Sequence, residues 1–319
     1  RGVDRHPRKA TSGPGRWGVG RGGGRRARYL GSAPMQNPVQ IRDSVVVVTG
    51  AASGIGEAMV ERFVLDGAQA VVAADRDAAG VEALAERVSA YSPRPCEAVA
   101  CDVADESSVK ALVDGTVERH GRIDLMVSNA GYVTVGGLEA PDEELHRMFG
   151  VHVMAHLYAA RHAIPHMVAN GGGHLLNTSS AAGLLTQIGS LHYSVTKNAA
   201  VSLAEWISVS YGDRGIGVSV LCPQAVATNI ITNSPTADLM PGDGPSGAAA
   251  VDGVLTAAEL ADTVVDALAD GRFHVLPHPD VAEYVRRKAD DVDRWLGGMQ
   301  RFQSRLYPEG PTPADWLLA

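Results

Sequence analysis

The run Ser44-Val45-Val46-Val47-Val48-Thr49-Gly50 constrains this chain more than any other. Four consecutive valines leave no polar face, so the segment reads as a strand buried on both sides, the condition of a parallel sheet covered by helices. Gly50 to Gly56 then make a turn of small residues, and Ile55, Gly56, Glu57, Ala58 and Met59 open a helix. Strand, glycine turn and helix are the first half of a βαβ unit. At such a turn, free backbone N–H groups and the positive end of the helix dipole face one point, which suits a pyrophosphate.

The rest of the chain repeats the alternation. Apolar spacing predicts helices over 55–66, 78–89, 105–121, 142–170, 191–212 and 255–270, the last opened by a capping box of Thr256 and Glu259. Strands fall at 70–74, 97–101, 125–128, 175–178 and 217–221, with a further short one at 273–276. Short apolar strands separated by helix-length segments predict an α/β fold: a doubly wound parallel sheet between two helical layers, one domain over 35–280. Residues 281–306 read as a charged helix with Val285, Val292, Trp295 and Leu296 on one face, within a helical extension over 281–319. That face packs either on a second subunit or on its own domain.

Composition excludes several classes. With 319 residues, 45% hydrophobic and 20% charged, the chain can bury one large core. Cys96, Cys101 and Cys222 form no CxxC pair and point to a reducing, cytoplasmic setting. No apolar run approaches the ~18–20 residues of a membrane span. Residues 1–34 hold nine Lys or Arg and one Asp, whereas the remainder holds 19 basic and 35 acidic residues. The body therefore carries no nucleic-acid footprint. The Gly- and Arg-rich tail is expected to be disordered. It reads as an extension upstream of a natural start at Met35, in preference to a basic arm for nucleic acid or an acidic membrane. Residues 229–253, rich in Pro, Gly, Ser and Asn, are expected to form a mobile lid. His152/His156 and His162/His166 stand four apart, but no carboxylate or cysteine completes a metal site, so no metal is expected.

The unusual motifs fall at strand ends, where ligands of such sheets sit. Gly50-x-x-x-Gly54-x-Gly56, with Ser53 and Ile55 in the same turn, is followed 19 residues later by Asp75 at the end of the next strand. An acid there accepts hydrogen bonds from ribose hydroxyls and repels a 2′-phosphate, which favours NAD over NADP. Arg76 argues the other way. Asp102-Val103 ends the third strand, where Asp102 suits an adenine amino group. Asn129-Ala130-Gly131 ends the fourth, where small residues admit a cofactor to the backbone. Taken singly, each is an ordinary turn. Tyr193 and Lys197 lie four apart on one face of a predicted helix. A cation beside a phenol lowers its pKa from about 10 toward the range of efficient proton exchange. Ser180, 13 residues before Tyr193, offers a hydroxyl for a carbonyl or alkoxide oxygen.

In order and spacing, Thr49 to Gly56, Asp75, Asp102-Val103, Asn129-Ala130-Gly131, Ser180, Tyr193-x-x-x-Lys197, and Pro223 with Thr228 resemble the short-chain dehydrogenase/reductase family, from about residue 41 to 228 and more weakly to 276. The resemblance implies a Rossmann-type fold and an NAD(P)-dependent oxidoreductase that interconverts a small-molecule secondary alcohol and a ketone, as a homodimer or homotetramer. It implies Tyr193 as general acid/base, Lys197 as ribose ligand and modulator of Tyr193, and Ser180 as the residue that orients the substrate oxygen. Pro223 to Thr228, Val226 among them, would contact the nicotinamide end. Two departures stand out. His152 occupies the position of an asparagine that helps the family hold a water relay from the lysine; the histidine either keeps that relay or is inert. Gln224 replaces the glycine after Pro223. These departures motivate a competing reading, a cofactor-binding sensor or scaffold without turnover, against which the intact Ser180, Tyr193 and Lys197 weigh.

Overall fold

The computed structural model describes residues 37–230, 234–236 and 250–318. The tail 1–34, Met35 and most of the segment expected as a lid lie outside the described residues. The strands are β1 (Val45–Thr49), β2 (Ala70–Asp75), β3 (Cys96–Ala100), β4 (Leu125–Ser128), β5 (Gly173–Thr178), β6 (Ile216–Leu221), β7 (Val226–Ala227), β8 (Leu255–Thr256) and β9 (His274–Val275). All but β7 and β8 join one parallel sheet in the order β3-β2-β1-β4-β5-β6-β9, while β7 and β8 pair with each other.

The helices are α1 (Gly54–Leu65), α2 (Ala78–Ser89), α3 (Glu106–His120), α4 (Asp142–Phe149), α5 (Ala155–Ala169), α6 (Ala181–Leu185), α7 (Leu191–Tyr211), α8 (Ala257–Ala269), α9 (Asp280–Asp290), α10 (Val292–Leu306) and α11 (Pro313–Leu318). Alternation along the strands sorts them into two layers. Val46, Val48, Val71 and Ala73 pack with α1, α2 and α8. Val47, Val72 and Ala74 point to the opposite face and pack with α3, α5 and α7. The valine run is fully buried because both faces are covered. The chain travels outward from β1 to β3, then returns to place β4 on the other side of β1. The crevice at that reversal, beyond the strands' carboxyl ends, is where a ligand fits.

Three expectations are corrected. The helix predicted over 142–170 is α4 and α5 joined by a π-helical turn, Gly150–Met154. One extra residue is inserted there, which lets the imidazole of His152 turn inward to buried partners. The helix predicted over 281–306 breaks at Asp291, whose extended backbone caps α10 and whose side chain accepts from the Arg294 N–H. Its expected apolar face also splits: Val285 and Trp295 pack beneath α6, but Val292 and Leu296 stay about half exposed. Finally, 255–256 form β8, and α8 starts only at Ala257, with the Thr256–Glu259 capping box in place.

Candidate active site

One cavity of about 1920 Å³ runs across the carboxyl ends of β1, β2, β3, β4 and β5. Its first wall is the glycine turn. Gly50 and Gly54 hold φ of 66° and 61°, a left-handed region open to glycine at little cost. Gly56 does not line the cavity, contrary to its expected place in the cofactor site. It is needed for close approach, since a Cβ there would lie 2.0 Å from the Gly50 carbonyl oxygen. Ser53, the N-cap of α1, makes no side-chain cap. The first turn of α1 therefore presents its N–H groups and dipole to the cavity, flanked by Ser53, Gly54 and Ile55.

Asp75 ends β2 on the same wall. Its Oδ2 accepts from the Ala52 N–H at 3.1 Å and its Oδ1 from the Asp77 N–H at 3.0 Å. Arg76, Asp102 and Val103 line the cavity beside it, and Asp102 Oδ1 accepts from the Ala104 N–H at 2.9 Å. Asn129, Ala130 and Gly131 also line it. The Asn129 amide, however, is spent on bracing: Nδ2 donates to the Thr49 and Gly50 carbonyls at 3.2 Å, and Oδ1 accepts from the Thr178 hydroxyl at 3.1 Å. Ala130 lies so near that a Cβ on Gly50 would come within 2.6 Å of its Cα. Small residues here let the ends of β1 and β4 converge. Pro223, Val226 and Thr228 close the rim, with Thr228 packed over Gly54.

Ser180, Tyr193 and Lys197 line the far end of the same cavity. Ser180 caps α6, its Oγ accepting from the Ala182 N–H at 3.1 Å. Tyr193 and Lys197 share one face of α7, with Nζ 5.6 Å from the phenol ring. The buried ammonium donates to the Thr178 carbonyl at 2.9 Å. Burial pushes Lys197 down to about 7. Burial also pushes Tyr193 above its ordinary value, while its hydrogen bond with Ser180 pulls it down. The lowering of Tyr193 expected from Lys197 is not found: burial dominates, and the opposing pull comes from Ser180.

His152 stands behind this wall and does not line the cavity. A Cβ on Gly131 would sit 3.2 Å from its Nε2 and 3.4 Å from Lys197 Nζ, so the imidazole and the ammonium back the same glycine. Its ring meets Tyr193 edge-on at 5.6 Å. Burial, with Lys197 as a further influence, holds it well below its ordinary pKa and neutral.

Several contributors escape sequence reasoning. The Gln224 N–H donates to Nδ1 of buried His278 at 3.2 Å, anchoring the loop after β6. Trp295, Met299, Phe302 and Trp316, from α10 and α11, also line the cavity. Only their helical spacing could have signalled this, and spacing does not say which surface a stripe faces. Among the described residues no group of three or more His, Cys, Asp or Glu could hold a metal, and no helix is long and apolar enough to cross a membrane.

Comparison with known proteins identifies the family and the fold. The sequence profile of the family described as short chain dehydrogenase matches residues 44–238. A 1-deoxy-11-beta-hydroxypentalenate dehydrogenase from Streptomyces exfoliatus is 32% identical over 284 residues, 87% of this chain and 96% of that one. A short chain dehydrogenase/reductase from Burkholderia phymatum, solved in complex with NAD, superposes with a TM-score of 0.70 at 29% identity, covering 80% of this chain and 96% of that chain. A short-chain dehydrogenase from Sphingobium yanoikuyae in complex with NADPH gives 0.66 at 27% identity, over 81% and 95%.

Proposed function

The chain belongs to the short-chain dehydrogenase family, and from that premise we propose that it interconverts a secondary alcohol and a ketone with NAD(H), using Tyr193 as the proton-exchanging group. The observation that carries this is convergence. Ser180, Tyr193 and Lys197 share a cavity with the uncapped first turn of α1 and with Asp75.

The cradle fits a nicotinamide dinucleotide. Gly50 and Gly56 admit no Cβ without collision, and the N–H groups and helix dipole of the turn favour a pyrophosphate. Ser53, Gly54 and Ile55 would hold that pyrophosphate, Asp75 the adenosine ribose, Asp102 and Val103 the adenine, and Lys197 the second ribose. Asp75, tied to the loop it would serve, supports NAD over NADP; Arg76, exposed beside it, is the competing influence. When bound, the nicotinamide ring supplies the acceptor for the hydride released as the carbinol C–H bond breaks, or the donor in reverse.

The protein's own part is placement and the proton. Ser180 orients the substrate oxygen. Tyr193 takes the hydroxyl proton in oxidation and returns it to the carbonyl oxygen in reduction. A phenol held protonated by burial is set for reduction; for oxidation, the Lys197 ammonium 5.6 Å from the ring is the group placed to stabilise phenolate. Exposed Trp206 and Val209 on α7 support a homodimer or homotetramer. The test is nicotinamide absorbance with a panel of alcohols and ketones, NAD and NADP in parallel. Tyr193→Phe is expected to lower turnover by about 10²–10⁴-fold with NADH binding retained. Full turnover by that variant would refute the assignment.

A further inference from the structure

We propose that the carboxyl-terminal helices form a substrate wall selective for a bulky, rigid, multi-ring alcohol or ketone; this rests on the alcohol–ketone reading above and names its substrate class. On α10, Trp295, Met299, Phe302 and Leu306 recur at i, i+4, i+7 and i+11 and so share one face. A stripe of this kind ordinarily packs into a core. Here no residue of α10 is buried, and all four side chains line the cavity that holds Ser180 and Tyr193. Leu185 and Ile188, which follow Ser180 in the chain, line it too.

The wall is anchored at both ends. At its start, Val281 is fully buried against Ala181 and Leu185, Trp295 packs on the same cluster, and Lys288 Nζ donates to the Leu184 carbonyl at 2.7 Å. Asp291 then turns the chain so that α10 crosses the cavity. At its end, Tyr307 and Trp316 cover Gly189, where a Cβ would come within 2.9 Å of the tyrosine hydroxyl and 3.5 Å of the indole. The stripe from Trp295 to Leu306 spans about 16 Å at the rise of an α-helix.

The occupant follows from these facts. Trp295 packs on Ala181 and Leu185 of α6, the helix that Ser180 caps, so the stripe and the Ser180 hydroxyl lie along one cavity. Such a surface gains by burying apolar area. A volume of about 1920 Å³ exceeds the ~300–1,000 Å³ of drug-sized pockets, leaving room for a broad body beside a dinucleotide. Trp295 and Phe302 give the stripe its breadth, with the Arg305 guanidinium over the Phe302 ring at 5.7 Å and Arg294 and Arg301 beside them in the lining; a rigid body loses less rotor freedom on binding than an acyl chain does.

Calorimetry on the Tyr193→Phe protein with NADH tests this without turnover. Cyclohexanone, bicyclic 2-decalone and linear 2-decanone, the last two of equal carbon number, are titrated in turn. The bicyclic ketone is expected to bind at least tenfold tighter than either other. Phe302→Ala, and Met299→Ala as a milder variant, should each reduce that preference several-fold without changing NADH affinity. Leu296→Ala, on the outer face of the same helix, should leave it intact. Equal affinities, a preference for the linear ketone, or loss in Leu296→Ala matching that in Phe302→Ala would overturn the proposal. The last result would mean that a second copy, or the chain's own segment at 237–249, covers the helix. Preference for the bicyclic ketone with no turnover by the unsubstituted protein would refute the redox reading and leave this one standing.

Discussion

Asp75 and Ala52 are joined by a hydrogen bond of 3.1 Å from the Ala52 N–H to Asp75 Oδ2, which ties the end of β2 to the glycine turn after β1. The other carboxylate oxygen accepts from Asp77. Each oxygen keeps a second lone pair that can accept from a ribose hydroxyl.

Asp75→Ala should therefore act twice, by removing an acceptor for the adenosine ribose and by loosening the turn. NAD affinity is expected to fall about tenfold, near 1.4 kcal/mol. NADP, which the carboxylate repels, should lose less or gain. Fluorescence titration with NADH and NADPH measures both, and equal losses would show that only the turn was affected.

Two helical glycines give opposite outcomes for one chemical change. A Cβ on Gly56 meets the Gly50 carbonyl oxygen at 2.0 Å and the Asn129 amide at 2.7 Å, both fixed by the fold. Gly56→Ala should cost on the order of 3 kcal/mol and weaken NADH binding, because the turn must shift. A Cβ on Gly115 meets only the flexible end of Arg119, at 3.0 Å. Gly115→Ala should stabilise α3 by about 0.5–1 kcal/mol. Thermal melts of the two variants, moving in opposite directions, check the pair.

The sheet was legible because its signals are local. Val45–Val48 reads as a doubly covered strand from its β-branched run and following glycine turn, and α2 and β4 lie at the predicted bounds. What stayed hidden depends on tertiary partners. The residues 142–170 carry one apolar periodicity, and a π-turn shifts it by a single position, which composition cannot reveal. Helix α6, with five residues, is too short to show a period. Asn129 looked like a ligand from its strand-end position, but its amide is engaged by Thr49, Gly50 and Thr178. For α10, spacing gave an amphipathic helix, yet the choice between Leu296 and Phe302 as the inward residue is made by the docking of α9 on α6.

Buried neutral histidines predict acid sensitivity. Burial lowers His174 to about 4 and His156 to about 3, against an ordinary value of about 6.5. Their folded-state values are depressed, so between pH 6.5 and these values the unfolded chain binds protons that the folded chain refuses. The associated stability is present above about 6.5 and is lost as pH falls through about 4, roughly 3 kcal/mol for a shift of this size. Urea midpoints should therefore decline from pH 7 to pH 4. Neither ring nitrogen of His156 has a hydrogen-bond partner among the described residues, so His156→Leu should keep its midpoint at pH 7 and flatten the decline. An unchanged slope would clear His156 of the effect.

His152 presents the sharpest choice, between an inert substitute and a working part. The Tyr132 N–H donates to its Nε2 at 3.3 Å, so that nitrogen carries a lone pair and the neutral ring has its proton on Nδ1. Nδ1–H then donates to Thr196 Oγ1 at 2.9 Å, and the threonine hydroxyl donates to the His192 carbonyl at 2.8 Å. This chain fixes the residue after Gly131 to the turn of α7 that carries Tyr193, with the imidazole edge against the phenol ring. His152→Ala strands the Tyr132 N–H and removes the donor to buried Thr196, a loss of about 1–3 kcal/mol. Its kcat should fall about tenfold or more with KM for NAD little changed, because the phenol loses its support and the cofactor cradle does not. His152→Gln, whose amide offers both an acceptor and a donor, should recover much of that rate, and Leu should not. Wild-type kcat and melting temperature in His152→Ala would establish the inert reading instead.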